Sequence, residues 1–266
     1  MQANDVLALP DLLEAVIRKA GDLAQEIARR PFKRWTKGPD RSPVTEADIV
    51  VNEFLHAQLT ALAHGAGWLS EETKESPEYG LPLNWIVDPI DGTRAYISGR
   101  ADWTISVALA EHGRPLIAAL YAPVTDEMFL ASRAGGAKLN GRPIKATPGK
   151  LLKDAKLAGP KRYLDRLSVL SPGIVVEPKV HSLALRIARV AQGTLDAAFA
   201  SGGSHDWDLA AADLLVHEAG GALTDFLGRP LKYNEPQSAH GPLIAAGESR
   251  HGALIELVRD REPEFA

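Results

Sequence analysis

The sequence predicts a mixed α/β chain, α+β in its first half and α/β in its second. Three observations carry this reading. Two apolar stripes at helical spacing occupy the first quarter, and strand–turn–strand signals fill the stretch from Trp85 to Ile144. Past a break at ATPGK (146–150), short apolar runs alternate with amphipathic ones, which divides the chain into two unlike subdomains, 1–147 and 148–266.

In DLLEAVIRKAGDLAQEIARR (11–30), Leu12, Val16, Ala20, Leu23 and Ile27 recur at helical spacing with charges opposite, which predicts the first helix. The polar, proline-bearing KGPDRSP reads as a linker. SPVTEADIVVNEFLHAQLTALA (42–63) offers Thr45 as the N-cap of a second amphipathic helix. Residues 65–84, with GWLSEETKE among them, are loop-like. WIVDPI is a short buried strand. TISVALAEHGRPLIAALYAPV is two apolar runs split by the turn letters EHGRP, and MFLASRAGGAKLNGRPI is another hairpin, with Asn140-Gly141 as a favourable turn. In the second half KLAG, VVEPKV, DAAFAS, ALTDF and LIAAG are the strand candidates. YLDRLSVL, SLALRIARVAQG, WDLAAADLLVHEAGG and a closing segment are the helix candidates.

Composition bounds what such a chain can do. A net charge of -4 over 266 residues gives no basic surface for nucleic acid, whose binding depends on neutralising phosphates. The absence of cysteine excludes disulfides, zinc thiolate sites, iron–sulfur clusters and a thiol nucleophile. MQANDVLALPDLLEAV has no basic segment leading into an apolar core, and no apolar run approaches the ~20 residues that span a bilayer. A cytoplasmic location with no membrane partner is the expectation.

Four places carry acids at element ends: Asp48 in the first turns of the second helix, Glu71-Glu72 in the loop, Asp88 and Asp91 at the end of WIVDPI, and Asp208 at the start of WDLAAADLL. Taken alone, an acid at a helix start is more often a cap or a dipole partner, and a Glu-Glu pair in a loop is more often solvated surface. Asp88-Pro89-Ile90-Asp91-Gly92-Thr93 resists that reading, because a turn needs only one aspartate and the glycine. Two carboxylates delivered to one spot repel each other unless something positive sits between them.

An oxygen-rich donor set without histidine or thiolate suits a hard divalent cation, Mg²⁺, Mn²⁺ or Ca²⁺. Acids flanking a shared carboxylate are the arrangement of two-metal phosphoryl chemistry. The backbone N–H groups at Gly92-Thr93 then face a phosphate. Other patterns fail on inspection. Ser204-His205-Asp206 spells a triad, but adjacent residues cannot converge as a triad requires, and His217-Glu218 lacks the second histidine of a zinc helix. Trp207 reads as core packing beside the site.

The segments SPVTEAD (42–48), SEET (70–73), WIVDPIDGT (85–93) and HDWDLAAADLLVHEAGGALTD (205–225), in this order and spacing, resemble the inositol monophosphatase family of Mg²⁺-dependent, lithium-sensitive phosphatases. The resemblance implies a layered α/β/α/β/α sandwich, commonly dimeric, holding two or three Mg²⁺. By motif, Glu71, Asp88 and the Ile90 carbonyl correspond to ligands of the first metal, and Asp88, Asp91 and Asp208 to those of the second. Thr93 with Asp48 corresponds to the pair that orients the attacking water, with Glu71 at the same catalytic centre and Glu72 in support. Gly92, Thr93, Arg94, Ser182, Ser201 and Asp208 are the positions implied to meet a small phosphorylated metabolite. On this reading the first subdomain carries most metal ligands and the second completes the site.

The substrate is read from departures. Ser201 stands where inositol-type members carry a glutamate for sugar hydroxyls. SPVT before Asp48, Arg94 after DGT, and YAPV (121–124) look more like the 3′(2′),5′-bisphosphate nucleotidase branch. Arg94 offers a planar fork for a second phosphate, or is a solvated helix-start residue. His181-Ser182 replaces the small pair common in the family, and His181 either adds a substrate contact or caps the helix. The reading is therefore a phosphatase leaning to 3′-phosphoadenosine 5′-phosphate, with inositol-1-monophosphatase as the alternative. A sugar bisphosphatase and a catalytically silent phosphate-ligand binder are the further alternatives.

Overall fold

The computed structural model describes residues 3–38, 41–73, 81–236, 238–259 and 261. The chain opens with α1 (Ala3–Ala28), the strands β1 (Arg34–Lys37) and β2 (Ser42–Thr45), α2 (Glu46–Leu62) and β3 (Gly67–Ser70). There follow β4 (Leu83–Asp91), the short α3 (Thr93–Ile97), β5 (Thr104–Glu111), β6 (Arg114–Ala122), β7 (Glu127–Ser132), β8 (Gly136–Leu139) and β9 (Arg142–Pro143). The remainder comprises β10 (Lys156–Ala158), α4 (Lys161–Leu170), β11 (Val175–Val176), α5 (Leu183–Gln192), β12 (Ala197–Ala200) and β13 (Ser204–His205). It closes with α6 (Asp206–Glu218), β14 (Gly221–Asp225), β15 (Ala239–His240), β16 (Leu243–Gly247) and α7 (Glu248–Val258).

Strands β3 to β9 form a seven-stranded sheet in chain order, and β11-β10-β12-β16-β14 form a five-stranded one. Period-2 alternation turns these sheets into five layers. Trp85, Val87, Ile105, Val107 and Leu109 face α1 and α2, while Ile86, Ala108, Ala110, Ala118 and Leu120 face the opposite way onto α5 and α6. Those two helices also cover Ala198, Ala200, Leu223 and Ala245 of the smaller sheet. The other face of that sheet, with Leu157, Phe199, Ile244 and Ala246, packs on α4 and α7. The result is the α/β/α/β/α sandwich. Among the described residues, no helix is long and apolar enough to cross a membrane.

Helix α6 lies at the centre and is buried almost all round, so its two flanks are small: Ala210, Ala211 and Ala212 are each at most 1% exposed. Alanines there let α6 approach Ala108, Ala118 and Ala131 of the large sheet closely.

Several local expectations change. The first helix begins at Ala3, upstream of Pro10, which reads as a boundary because proline lacks an N–H yet lies inside the helix here. Its buried stripe is Leu9, Leu13, Ile17, Ala20, Ala24 and Ile27, with Leu12 48% exposed, because two apolar stripes one residue apart compete for the same period. The expected linker is half of an antiparallel arm, β1 on β2, pairing Arg34 with Thr45 and Lys37 with Ser42 (Pro39 and Asp40 lie outside the described residues). Within the expected loop 65–84, β3 pairs parallel to β4, a four-residue strand too short to show a period, and residues 74–80 lie outside the described ones. The expected hairpin at 128–144 is two successive ones, and Asn140-Gly141 turns the second, both in the left-handed region that such a turn requires.

Replacing Ala211 with leucine should overpack the central layer and lower stability by about 1–3 kcal/mol. Denaturant unfolding of the variant checks this, and no loss would mean that the two sheets are less tightly coupled through α6 than described.

Candidate active site

The site forms where β4 ends. In a regular strand, residues three apart point to opposite faces. Here the pairing of β4 with β5 shifts between Asp88, opposite Ser106, and Asp91, opposite Thr104. Pro89 cannot donate to the ladder, and the irregularity it sits in turns both carboxylates to one side. Asp208, from the first turn of α6, completes a group in which one carboxylate oxygen from each aspartate lies within 4.8 Å of the others.

Helix starts surround this group. Asp48 and Asp208 each close a capping box, with Oδ2 accepting the N–H of Thr45 at 2.8 Å and of His205 at 2.7 Å. The cap and the cleft do not compete, since capping takes Oδ2 and leaves Oδ1 for the cleft. Asp91 sits at the start of α5, where Ser182 Oγ donates to it at 2.6 Å and the Ala184 and Leu183 amides at 2.7 and 3.2 Å. Ser182 is fully buried, accepts the Leu185 N–H as the N-cap, and lies 2.9 Å from Thr104 Oγ1. The substrate contact expected at Ser182 is thus, in the structure, a contact to Asp91. His181 is held on Asp102, Nδ1 to Oδ2 at 2.7 Å, so it is neither the cap nor free to turn elsewhere without breaking that pair.

Thr93 Oγ1 lies 3.2 Å from Asp48 Oδ1 and 3.1 Å from the Ile90 carbonyl, so the expected Thr93–Asp48 pair is formed and Ile90 is beside it. Gly92 holds φ at 95°, and a Cβ there would lie 3.2 Å from the Ser182 nitrogen and 3.3 Å from the Asp102 carbonyl. Only glycine passes between α3 and α5 at this point. Glu71 and Glu72 follow β3. Both meet Lys37 of the arm, whose Nζ lies 3.1 Å from Glu71 Oε1 and 2.6 Å from Glu72 Oε1. Arg94 and Ser201 are exposed, and neither side chain is drawn into the acid group.

The electrostatics identify what is missing. Burial, then Glu71, Asp91, Asp208 and Asp48, push the Asp88 carboxyl well above the usual range. Burial and Asp91 do the same to Asp208. Asp91 is pushed up to about 6 by burial despite its three donors. Asp48 is pushed up to about 7 by burial, against the Thr45 hydroxyl and amide. Among the described residues, Lys37 is the one cation in an ion pair here, with Glu71 and Glu72: burial opposes its charge, but the two glutamates raise it above its ordinary value. One lysine does not balance Asp88, Asp91 and Asp208 together with the two glutamates. A cluster of carboxylates with no nitrogen or sulfur donor fits a hard divalent cation.

Two groups near the site had no signal in the sequence. Lys37 stood in an apparent linker. Arg186 reads as one more charge on an amphipathic helix, yet its Nε is closed off from solvent with no hydrogen-bond partner, and burial lowers its pKa while Asp91 acts to raise it.

The family model described as the inositol monophosphatase family matches residues 9–262. The chain is 31% identical to an inositol-1-monophosphatase of Rhizobium meliloti (strain 1021), over 93% of this chain and 94% of that protein. It is 30% identical to the 3′(2′),5′-bisphosphate nucleotidase CysQ of Aggregatibacter actinomycetemcomitans (90% and 92% covered) and 34% identical to the Nus factor SuhB of Vibrio cholerae (91% and 92% covered). Among solved structures, the suppressor protein suhB of Bartonella henselae superposes with a TM-score of 0.82 at 26% identity, covering 96% of this chain and 99% of that one.

Each raised carboxyl keeps its proton in the folded chain after the unfolded chain has lost it. The metal-free fold therefore loses stability as pH rises from about 4 through the values near 6 and 7 of Asp91 and Asp48. A divalent cation replaces those protons. The gain in Tm on adding Mg²⁺ or Mn²⁺ should be larger at about pH 8 than at about pH 5. Differential scanning fluorimetry checks this, and an equal gain at both would place cation binding away from the acids.

Proposed function

The chain belongs to the inositol monophosphatase family, and from that premise we propose that it is a Mg²⁺-dependent 3′(2′),5′-bisphosphate nucleotidase acting on 3′-phosphoadenosine 5′-phosphate. That it is a phosphomonoesterase follows from the family itself. The observation that carries the catalytic part is the convergence of Asp88, Asp91 and Asp208 beside a formed Thr93–Asp48 pair.

In this reading Glu71, Asp88 and the Ile90 carbonyl hold one cation, and Asp88, Asp91 and Asp208 hold another. When bound, the cations supply the charge that the acids lack and the Lewis acidity that activates water and steadies a departing alkoxide. The rest belongs to the chain. Thr93 Oγ takes the proton of the attacking water as it passes its own to Asp48, whose Oδ1 it faces. The Gly92 and Thr93 amides hold the phosphate oxygens. Glu72 anchors Lys37 and so keeps the arm against the site. The reading includes a lithium-sensitive, cytoplasmic homodimer, as in the family it resembles.

Arg186 supports the bisphosphate branch. A half-buried guanidinium whose Nε is shielded and without a partner, near Asp91, is suited to an anion that enters with the substrate, and its fork matches phosphate oxygens. Arg94, exposed on α3, remains a second candidate for that phosphate. The similarity to the Rhizobium meliloti protein favours inositol 1-phosphate instead, but Ser201 lacks the carboxylate that would accept from two hydroxyls. A silent binder has no use for the Thr93–Asp48 pair.

Asp48→Asn and Thr93→Val should each lower kcat by about 10²–10⁴ while the Mg²⁺-dependent gain in Tm persists. Phosphate release and thermal shift on the same samples check this, and unchanged turnover would remove the pair from the chemistry. For Arg186→Gln, the kcat/KM ratio of 3′-phosphoadenosine 5′-phosphate to adenosine 3′-monophosphate should fall about ten- to a hundredfold. A constant ratio would show that Arg186 does not meet the second phosphate.

A further inference from the structure

An adenosine substrate presents a flat base as well as phosphates, and none of the site residues named above, among the described residues, offers an aromatic face to receive it. We infer that Trp35 is that face: carried on the β1–β2 arm, it stacks against the nucleobase of the substrate. The inference rests on the nucleotidase reading and deepens it.

The placement follows from strand geometry. Trp35 and Lys37 are two residues apart on β1, so their side chains leave the same face of the arm. Their cross-strand partners, Val44 and Ser42, share that face. On this face Lys37 reaches Glu71 and Glu72, and Val44, directly opposite Trp35, is 1% exposed. Trp35 itself is 44% exposed. An indole left exposed beside Lys37, on the face of the arm that meets Glu71 and Glu72, is placed to receive a flat base.

The distance suits a nucleotide. Two residues along a strand span about 6–7 Å, so the indole stands about one nucleoside away from the lysine that touches the acid group. The root of the arm is also held. The Glu46 N–H donates to the Lys33 carbonyl at 2.9 Å, and Arg30 pairs with Glu46 at 2.6 Å. Trp35 is thus presented by an arm pinned at both its root and Lys37, which limits the conformational freedom lost when a base stacks on it. The remaining tryptophans are placed otherwise. Trp85 and Trp103 are buried, Trp68 donates to Thr73, and Trp207 is stacked on His205.

The test uses the whole protein with Mg²⁺ and three variants, Trp35→Phe, Trp35→Leu and Trp35→Ala. The expected result is that the kcat/KM ratio of 3′-phosphoadenosine 5′-phosphate to fructose 1,6-bisphosphate, which has phosphates but no base, falls about ten- to a hundredfold in the leucine and alanine variants. Phenylalanine should restore most of it. Adenosine 5′-monophosphate should quench the intrinsic fluorescence of the unsubstituted protein, and the quench should be lost in all three variants. An unchanged ratio, or an equal fall for both substrates, would overturn the stacking role. If the unsubstituted protein cleaves fructose 1,6-bisphosphate or inositol 1-phosphate in preference to the nucleotide, the nucleotidase reading fails, and the stack fails with it.

Discussion

The mutual repulsion of buried carboxylates is the constraint on which the rest of this structure depends. Asp88, Asp91 and Asp208 converge within 4.8 Å, and each is held partly out of water. A fold tolerates such a cluster only if something offsets the charge. The chain offsets some of it with helix starts. Asp48, Asp91 and Asp208 sit at the N-termini of α2, α5 and α6, where backbone N–H groups and the helix dipole favour negative charge. Those contacts bring Asp91 down only to about 6 and leave Asp88 and Asp208 well above the normal range. The residual deficit of positive charge is a binding free energy in waiting, available to a divalent cation and, through it, to a phosphate.

The layers exist to bring those helix starts together. β4 runs through the core of the large sheet and delivers its bulged end to the point where α5 and α6, lodged between the two sheets, begin. α2 reaches the same point from the outer layer. The small residues of α6 matter for this reason, since bulkier ones would separate the sheets and pull Asp208 away from Asp88. Gly92 has a related role, letting α3 start against the Ser182 backbone and so placing Thr93 next to Asp48.

Much of this was legible in the sequence because the acids lie at element ends and the elements are strongly patterned. WIVDPIDGT announces a buried strand ending in carboxylates, and the capping signal at Thr45 fixes where Asp48 points. Choosing between a cap and a cleft role for Asp48 and Asp208 was a false alternative, because a carboxylate has two oxygens and the structure uses one for each. What could not be read depends on contacts distant in sequence. Lys37 reaches Glu72 across the arm, Asp102 fixes His181, and Arg186 is distinguished from any surface arginine only by its shielded, unpartnered Nε. Strand β3 is not legible because four residues carry too little period, and the phase of α1 is not because two apolar stripes compete.

The central claim is that Asp88, Asp91 and Asp208 form a cation site. The most direct measurement is the anomalous difference density of a crystal grown with Mn²⁺, recorded at a wavelength where manganese scatters anomalously. A peak within coordinating distance of all three carboxylates is the predicted result. Well-ordered carboxylates with no peak between them, in protein saturated with Mn²⁺, would contradict the account.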